Sequence, residues 1–183
     1  MTAENSHLVW LDLEMTGLSL ERESIIEIAT IVTDSQLNII AQGPNLVIHQ
    51  GDALLEQMDS WNKKHHGQSG LITLVRESQI SMVEAEDATL AFLQQHVAPQ
   101  QAPLCGNTIC TDRQFLRVHM PRLEKFFNYR SIDVSTLKEL AKRWAPDVVS
   151  GFNKESAHRA VDDIKESIEE LIHYRQYFIK EKE

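Results

Sequence analysis

The 183-residue sequence has two cysteines, Cys105 and Cys110, and they form no CxxC pair. That excludes a disulfide framework and leaves both as expected reduced residues in or near the core. No apolar run approaches the roughly 20 residues needed to span a membrane. The first residues, Met1 to His7, lack the basic-then-apolar order of a secretory leader, so a cytoplasmic protein with no membrane partner is expected. Repeats, low-complexity tracts and Gly/Ser linkers are also missing, and residues 1–183 are expected to form a single domain. There is no basic run: 18 Lys and Arg stand against 27 Asp and Glu, a net charge of −9. Proteins that grip long nucleic acid gain affinity by neutralising many phosphates. A nucleic-acid ligand of this chain is therefore expected to be short, or held by metal ions and a small pocket.

What is present is an ordinary globular composition, 42% hydrophobic and 25% charged. Leu8–Leu13 and Ser24–Thr33 read as strands, and Leu37–His49 reads as a third with a bulge or edge at Gly43-Pro44. Short connections favour an antiparallel meander at one side of a sheet. Ser81–Val97 then has helical spacing, Pro103–Cys105 is a brief strand, and Asp112–Met120 reads as a helix stopped by Pro121. Ser131–Val134 reads as a last strand, followed by a helix through Trp144 and a break at Pro146. His158–Phe178 has the clearest helical period, with Ala160, Ile164, Ser167, Ile168 and Leu171 on one face. The expected fold class is α/β, a mixed sheet flanked by helices.

Three acidic elements carry chemistry. Asp12 and Glu14 sit two apart in the first strand, where residues i and i+2 share a face. Two adjacent anions are costly unless a cation or proton lies between them, and hard divalent ions prefer such oxygens. Asp112 lies near a helix start, where the helix dipole alone would also favour an aspartate. Within His158-Arg159-Ala160-Val161-Asp162-Asp163, a turn of ~100° per residue puts Asp162 opposite the apolar face and Asp163 on its shoulder. Asp163 is therefore the better ligand, and Asp162 caps the helix or faces solvent. Four carboxylates, Asp12, Glu14, Asp112 and Asp163, could hold two Mg²⁺ or Mn²⁺ ions roughly 4 Å apart. His158 has the intrinsic pKa to take a proton from the attacking water. Phosphodiester hydrolysis is the reaction that suits this set.

The ordered set Asp12-x-Glu14, Asp112 and His158-x-Ala-x-x-Asp163 resembles the DEDDh exonucleases, which have an RNase H-like fold. The stretches WLDLEMTGL, IIEIATIVTD, MDSWNKKHHGQSGL, CGNTICTDRQFL, SIDVSTLKELAKRW and AVDDIKESIEEL are similar to the oligoribonuclease family, from about Leu8 to Ile179. The resemblance implies a homodimeric 3′→5′ exoribonuclease that hydrolyses short RNA oligonucleotides to 5′-mononucleotides. It also implies a two-nucleotide pocket in which Leu18 and Trp61 pack on bases, with His66 nearby. Base–aromatic stacking is sequence-tolerant, which fits such a task. Tyr129 corresponds to an aromatic residue brought to the site across the dimer interface. Arg130, Ser135 and Thr136 would cap a terminal phosphate. Thr108 stands where the family often carries Ser and keeps the hydroxyl for a phosphate contact.

Plainer readings stand beside these. Trp61 would serve as a core or interface aromatic, His65 and His66 as surface residues, and Tyr129 as packing. Ser135 or Thr136 would cap the helix that follows, and Glu27 is read as a satisfied structural carboxylate. Gly151–Ser156 carries no motif and reads as a loop leading to His158. Two other functions compete: a DEDDh exonuclease that proofreads DNA or trims RNA 3′ ends, and a non-catalytic RNA-binding protein on the same fold. The first would need basic surface for a longer strand. The second would need a missing ligand, and all five acidic and histidine positions are occupied.

Overall fold

The computed structural model of the protein describes residues 7–152 and 159–180. β1 (Leu8–Met15) sends alternate side chains to opposite faces of the sheet, and both faces are covered. Val9, Leu11 and Leu13 enter one hydrophobic layer, and Trp10 enters the layer on the other face. β2 (Ile25–Thr33) is buried along its whole length, which accounts for its nearly unbroken apolar run. β3 (Ile39–Gln42) and β4 (Leu46–Val47) both pair antiparallel with β2. The strand expected over Leu37–His49 is thus two strands. Pro44 has no N–H for a ladder, and a side chain at Gly43 would collide with Thr30 and Phe92.

Three short helices that the sequence pattern did not announce follow: α1 (Asp52–Leu55), α2 (Ser60–Gln68) and α3 (Leu71–Glu77). Leu55, Met58, Leu71 and Val75 seal them onto Ile26 of β2. α4 (Met82–Leu93) starts at a capping box formed by Ser81 and Glu84. After β5 (Leu104–Gly106) come α5 (Ile109–His119) and α6 (Pro121–Phe126). Pro121 ends α5 as expected, but it also opens α6, because its fixed φ suits a first helical position. β6 (Ser131–Asp133) leads into α7 (Val134–Trp144), α8 (Pro146–Ser150) and α9 (Ala160–Tyr177).

The sheet runs β3-β2-β1-β5-β6, with β4 pairing β2 off that path. β1, β2 and β3 form the expected antiparallel meander, whereas β5 and β6 are parallel to β1. On one face, Leu93, Phe115, Leu116 and Leu123 from α4, α5 and α6 cover Val9, Leu11 and Leu13. On the other, Val134, Ala160, Ile164 and Ile168 from α7 and α9 cover Trp10, Ala29 and Ile31. The α/β class with a mixed sheet flanked by helices is borne out. Cys105 is buried, and burial pushes its thiol pKa up. Cys110 is exposed, contrary to expectation, because Ile109, Asp112, Phe115 and Leu116 make the inward stripe of α5. No helix among the described residues is long and apolar enough to cross a membrane.

Candidate active site

Asp12 and Glu14 continue the face of β1 that begins with Trp10, the face on which α9 packs. α9 approaches with Ala160, Ile164 and Ile168 inward, and Asp163 lies on the shoulder of that stripe in the first turn. One ligand atom from each of Asp12, Glu14 and Asp163 lies within 4.8 Å of the other two. Asp112 approaches from the opposite side of the sheet and stands outside that group of three. β5 pairs with β1 only at Val9 and Trp10, so the β5-facing edge of β1 has no ladder partner beyond that point. Asp112 fills the gap: its Oδ1 accepts the Leu13 N–H at 3.0 Å, between the two β1 carboxylates.

This crowding is visible in the proton affinities. Burial pushes the Glu14 carboxyl up to about 8, and the charges of Asp163, Glu27 and Asp112 push the same way, while Arg159 pulls it down. Burial pushes Asp112 up to about 7 against the Leu13 hydrogen bond, with Asp133 adding repulsion. Carboxylates held this close in low-dielectric surroundings ask for a cation. Oxygen-only ligands of this kind suit a hard divalent ion, so the acidic cluster fits a divalent metal site.

The other candidate residues fall into separate groups. Leu18 and Trp61 are exposed at 76% and 57%, and Trp61 stacks on His65 with ring centroids 3.8 Å apart. Trp61 is thus not a core residue. His66 is only 2% exposed, which overturns its reading as a surface residue. Its Nε2 lies 2.9 Å from the Met15 carbonyl, which can only accept, so Nε2 carries the hydrogen. That bond ties α2 to the end of β1, while Nδ1 faces Glu14 Oε2 at 3.9 Å. Tyr129 is 77% exposed beneath the Arg130 guanidinium, 4.4 Å from its ring centre. These two residues line a cavity of about 550 Å³ with Arg117 and Lys125, and none of the four carboxylates lines it. Thr136 is exposed on α7. His158 and residues 153–156 of the expected loop lie outside the described residues.

Sequence reading missed a hub at Asp133. Its Oδ1 accepts the Thr108 N–H at 3.0 Å, the Ser135 N–H at 3.0 Å and the Ser135 hydroxyl at 2.6 Å. Asp133, and not Ser135 or Thr136, is the N-cap of α7. The hub also holds Thr108, whose φ of 53° is unusual for a β-branched residue. An aspartate immediately before an apolar helical pattern was the available signal. Glu27 has the structural partners expected of it: Arg159, Asn45 and the Ala160 N–H.

A mixed sheet that gathers carboxylates at the end of its first strand is the frame of an exonuclease, and the exonuclease family model matches residues 9–171. Solved structures agree on the fold. Exonuclease I from Methylocaldum szegediense aligns with a TM-score of 0.71 at 18% identity, covering 94% of this chain and 41% of that one. E. coli exonuclease I in complex with a 5cy-dT13 oligonucleotide aligns at 0.70 and 14%, covering 95% and 41%. The chain therefore spans about two-fifths of those larger proteins. Nearer relatives match end to end. The oligoribonuclease of Alcanivorax borkumensis is 58% identical over 179 residues, 98% of this chain and 99% of the relative. That of Pseudomonas aeruginosa is 61% identical over 174 residues, 95% and 97%. The chain belongs to the oligoribonuclease family.

Proposed function

We propose that this exonuclease hydrolyses short oligoribonucleotides, down to dinucleotides, from the 3′ end to 5′-mononucleotides by a two-metal-ion mechanism. The observation that carries the reading is the convergence of Asp12, Glu14 and Asp163 within 4.8 Å, with Asp112 against Leu13 between the two β1 ligands. Two Mg²⁺ or Mn²⁺ ions held by these four carboxylates would lower the pKa of the attacking water and neutralise charge on the leaving 3′-oxygen. His158 is the proton acceptor in this reading. Leu18 and Trp61 offer exposed apolar surface on which bases can stack without reading sequence. His66 supports the pocket from behind, since its burial leaves it little surface for substrate. Thr108, Arg130, Ser135 and Thr136 cap a terminal phosphate, and Asp133 holds Thr108 and Ser135 together for that task. Residues 1–183 act as one exonuclease domain in a cytoplasmic homodimer, and Tyr129 completes the partner's site. The exposure of Tyr129, and its cavity apart from the carboxylates, support that arrangement.

Hydrolysis of 5′-labelled RNAs of about two, five, ten and twenty nucleotides, with Mg²⁺, Mn²⁺ or EDTA, tests the substrate. Metal-dependent cleavage should favour the dinucleotide strongly, because an acidic chain with a small pocket gains little from extra phosphates. Equal or faster trimming of the longest RNA would instead mark a general 3′-end processing enzyme. No cleavage at any length would mark a binding protein.

Tyr129→Ala should lower turnover far more than stability, because an exposed side chain contributes little to the fold. Mixed with Asp163→Asn chains, it should regain about a quarter of wild-type activity. Half of the randomly assorted dimers are then mixed, and each has one complete site of two. No recovery on mixing would rule out the cross-subunit role.

A further inference from the structure

We infer that Glu27 and Arg159 are positioning residues of the acidic site, a buried carboxylate and a half-buried guanidinium that pin the start of α9 to β2 and so set where Asp163 stands. The inference rests on the metal-site reading above and adds to it the device that holds one ligand in place. Glu27 is fully buried in β2 and pairs in register with Glu14 of β1. Its Oε1 accepts Arg159 Nη2 at 2.7 Å, Arg159 Nε at 3.1 Å and Asn45 Nδ2 at 3.0 Å. Its Oε2 accepts Arg159 Nε at 3.2 Å and the Ala160 N–H at 3.2 Å.

The last of these contacts fixes the geometry. The four leading N–H groups of a helix have no partner within it, and the N-cap of α9, Arg159, supplies no side-chain cap. Glu27 supplies one from a strand 133 residues away in sequence. Residues three apart on a helix are neighbours, so tying down Ala160 N also ties down Asp163. Arg159 is in addition the residue next to His158 in sequence.

Stability alone does not call for such a pair, since buried ion pairs can often be replaced by apolar groups at no cost. A role in placement does. Glu27 stands opposite Glu14 across the β1–β2 ladder, and Arg159 supplies the countercharge with Nη2 2.7 Å from Glu27 Oε1. Removing Arg159 alone therefore leaves an unpaired buried anion facing the site, whereas removing both charges does not.

Arg159→Gln, Glu27→Gln and the double variant should be compared with Asp163→Asn and wild type. The readouts are Mn²⁺ binding by calorimetry without RNA, kcat and KM for a dinucleotide, and melting temperature in EDTA. Arg159→Gln is expected to weaken Mn²⁺ binding and to lower kcat, each by about 10–100-fold, the usual effect of losing an outer support of a metal ligand. KM for RNA should stay within about twofold, because no base or phosphate contact is touched. The double variant should lie nearer to wild type than Arg159→Gln does. Should Arg159→Gln fail to fold, Arg159→Lys, which keeps the charge but loses the fork, should shift both readouts in the same direction by a smaller factor. Wild-type Mn²⁺ affinity and kcat in the Arg159 variants would overturn the inference. So would activity losses that follow melting temperature while Mn²⁺ affinity stays unchanged. If wild type and Asp163→Asn bind Mn²⁺ alike, or neither binds it, the metal-site reading itself fails and this inference falls with it.

Discussion

Asp163→Asn is expected to cut dinucleotide hydrolysis by about a thousandfold while leaving the metal-free fold as stable as wild type or slightly more so. The amide keeps the size of the side chain and removes one charge from a cluster whose ligand atoms lie within 4.8 Å. An ion clamp is worth several kcal/mol of transition-state stabilisation, and each ~1.4 kcal/mol is tenfold in rate. Losing about 4 kcal/mol gives the expected factor. Stability should move the other way, because the Asp163 charge is among the causes that raise Glu14. Turnover with Mn²⁺ and thermal unfolding in EDTA read the two effects separately. Near-wild-type turnover would remove Asp163 from the site. Asp112 makes a poorer first target, since Asp112→Ala also strands the Leu13 N–H, a loss of roughly 1–3 kcal/mol when buried.

The second large effect is a stability profile that changes with pH and metal together. Glu14 is raised from 4.5 to about 8, and Asp112 from 3.8 to about 7. Across that window the folded chain keeps protons that the unfolded chain has already released. Without metal, the contribution of these two groups is therefore most favourable below the ordinary carboxylate range and is lost as pH rises toward 8. A few kcal/mol lost in a chain of this size corresponds to a melting temperature lower by roughly 5–10 °C at about pH 8 than at about pH 5. A divalent ion binds the ionised carboxylates, so millimolar Mn²⁺ should restore more stability at high pH than at low pH. Melting curves in EDTA and in Mn²⁺ at the two pH values provide the check. An equal metal-induced shift at both would contradict the carboxylate crowding.

The sheet and the acidic cluster were legible in the sequence because each follows from local periodicity. Asp12 and Glu14 are two apart on a strand, and helical rotation alone separated Asp163 from Asp162. The structure brings Asp12, Glu14 and Asp163 together as that reasoning required. What stayed hidden depended on distance or on polar packing. α2 reads Ser-Trp-Asn-Lys-Lys-His-His-Gly-Gln and offers no apolar stripe, yet it buries His66 by tying it to the Met15 carbonyl. Glu27 finds Arg159 132 residues later, a pairing that no local pattern encodes. Asp133 was passed over because Ser135 and Thr136 looked like caps, while the true cap was the aspartate two residues before.

The margins of the sheet have a consequence for how this protein meets others. β2 spans nine residues and is buried, but the outer strands are brief: four residues in β3, two in β4 and three in β6. Gly43-Pro44 cuts one margin, and at the inner gap the Asp112 carboxylate occupies an amide that an added strand would otherwise claim. Long unpaired strand edges are templates for fibrous aggregation, and short interrupted ones are not. Among the described residues, little free strand edge is therefore offered through which copies of this chain could zip together.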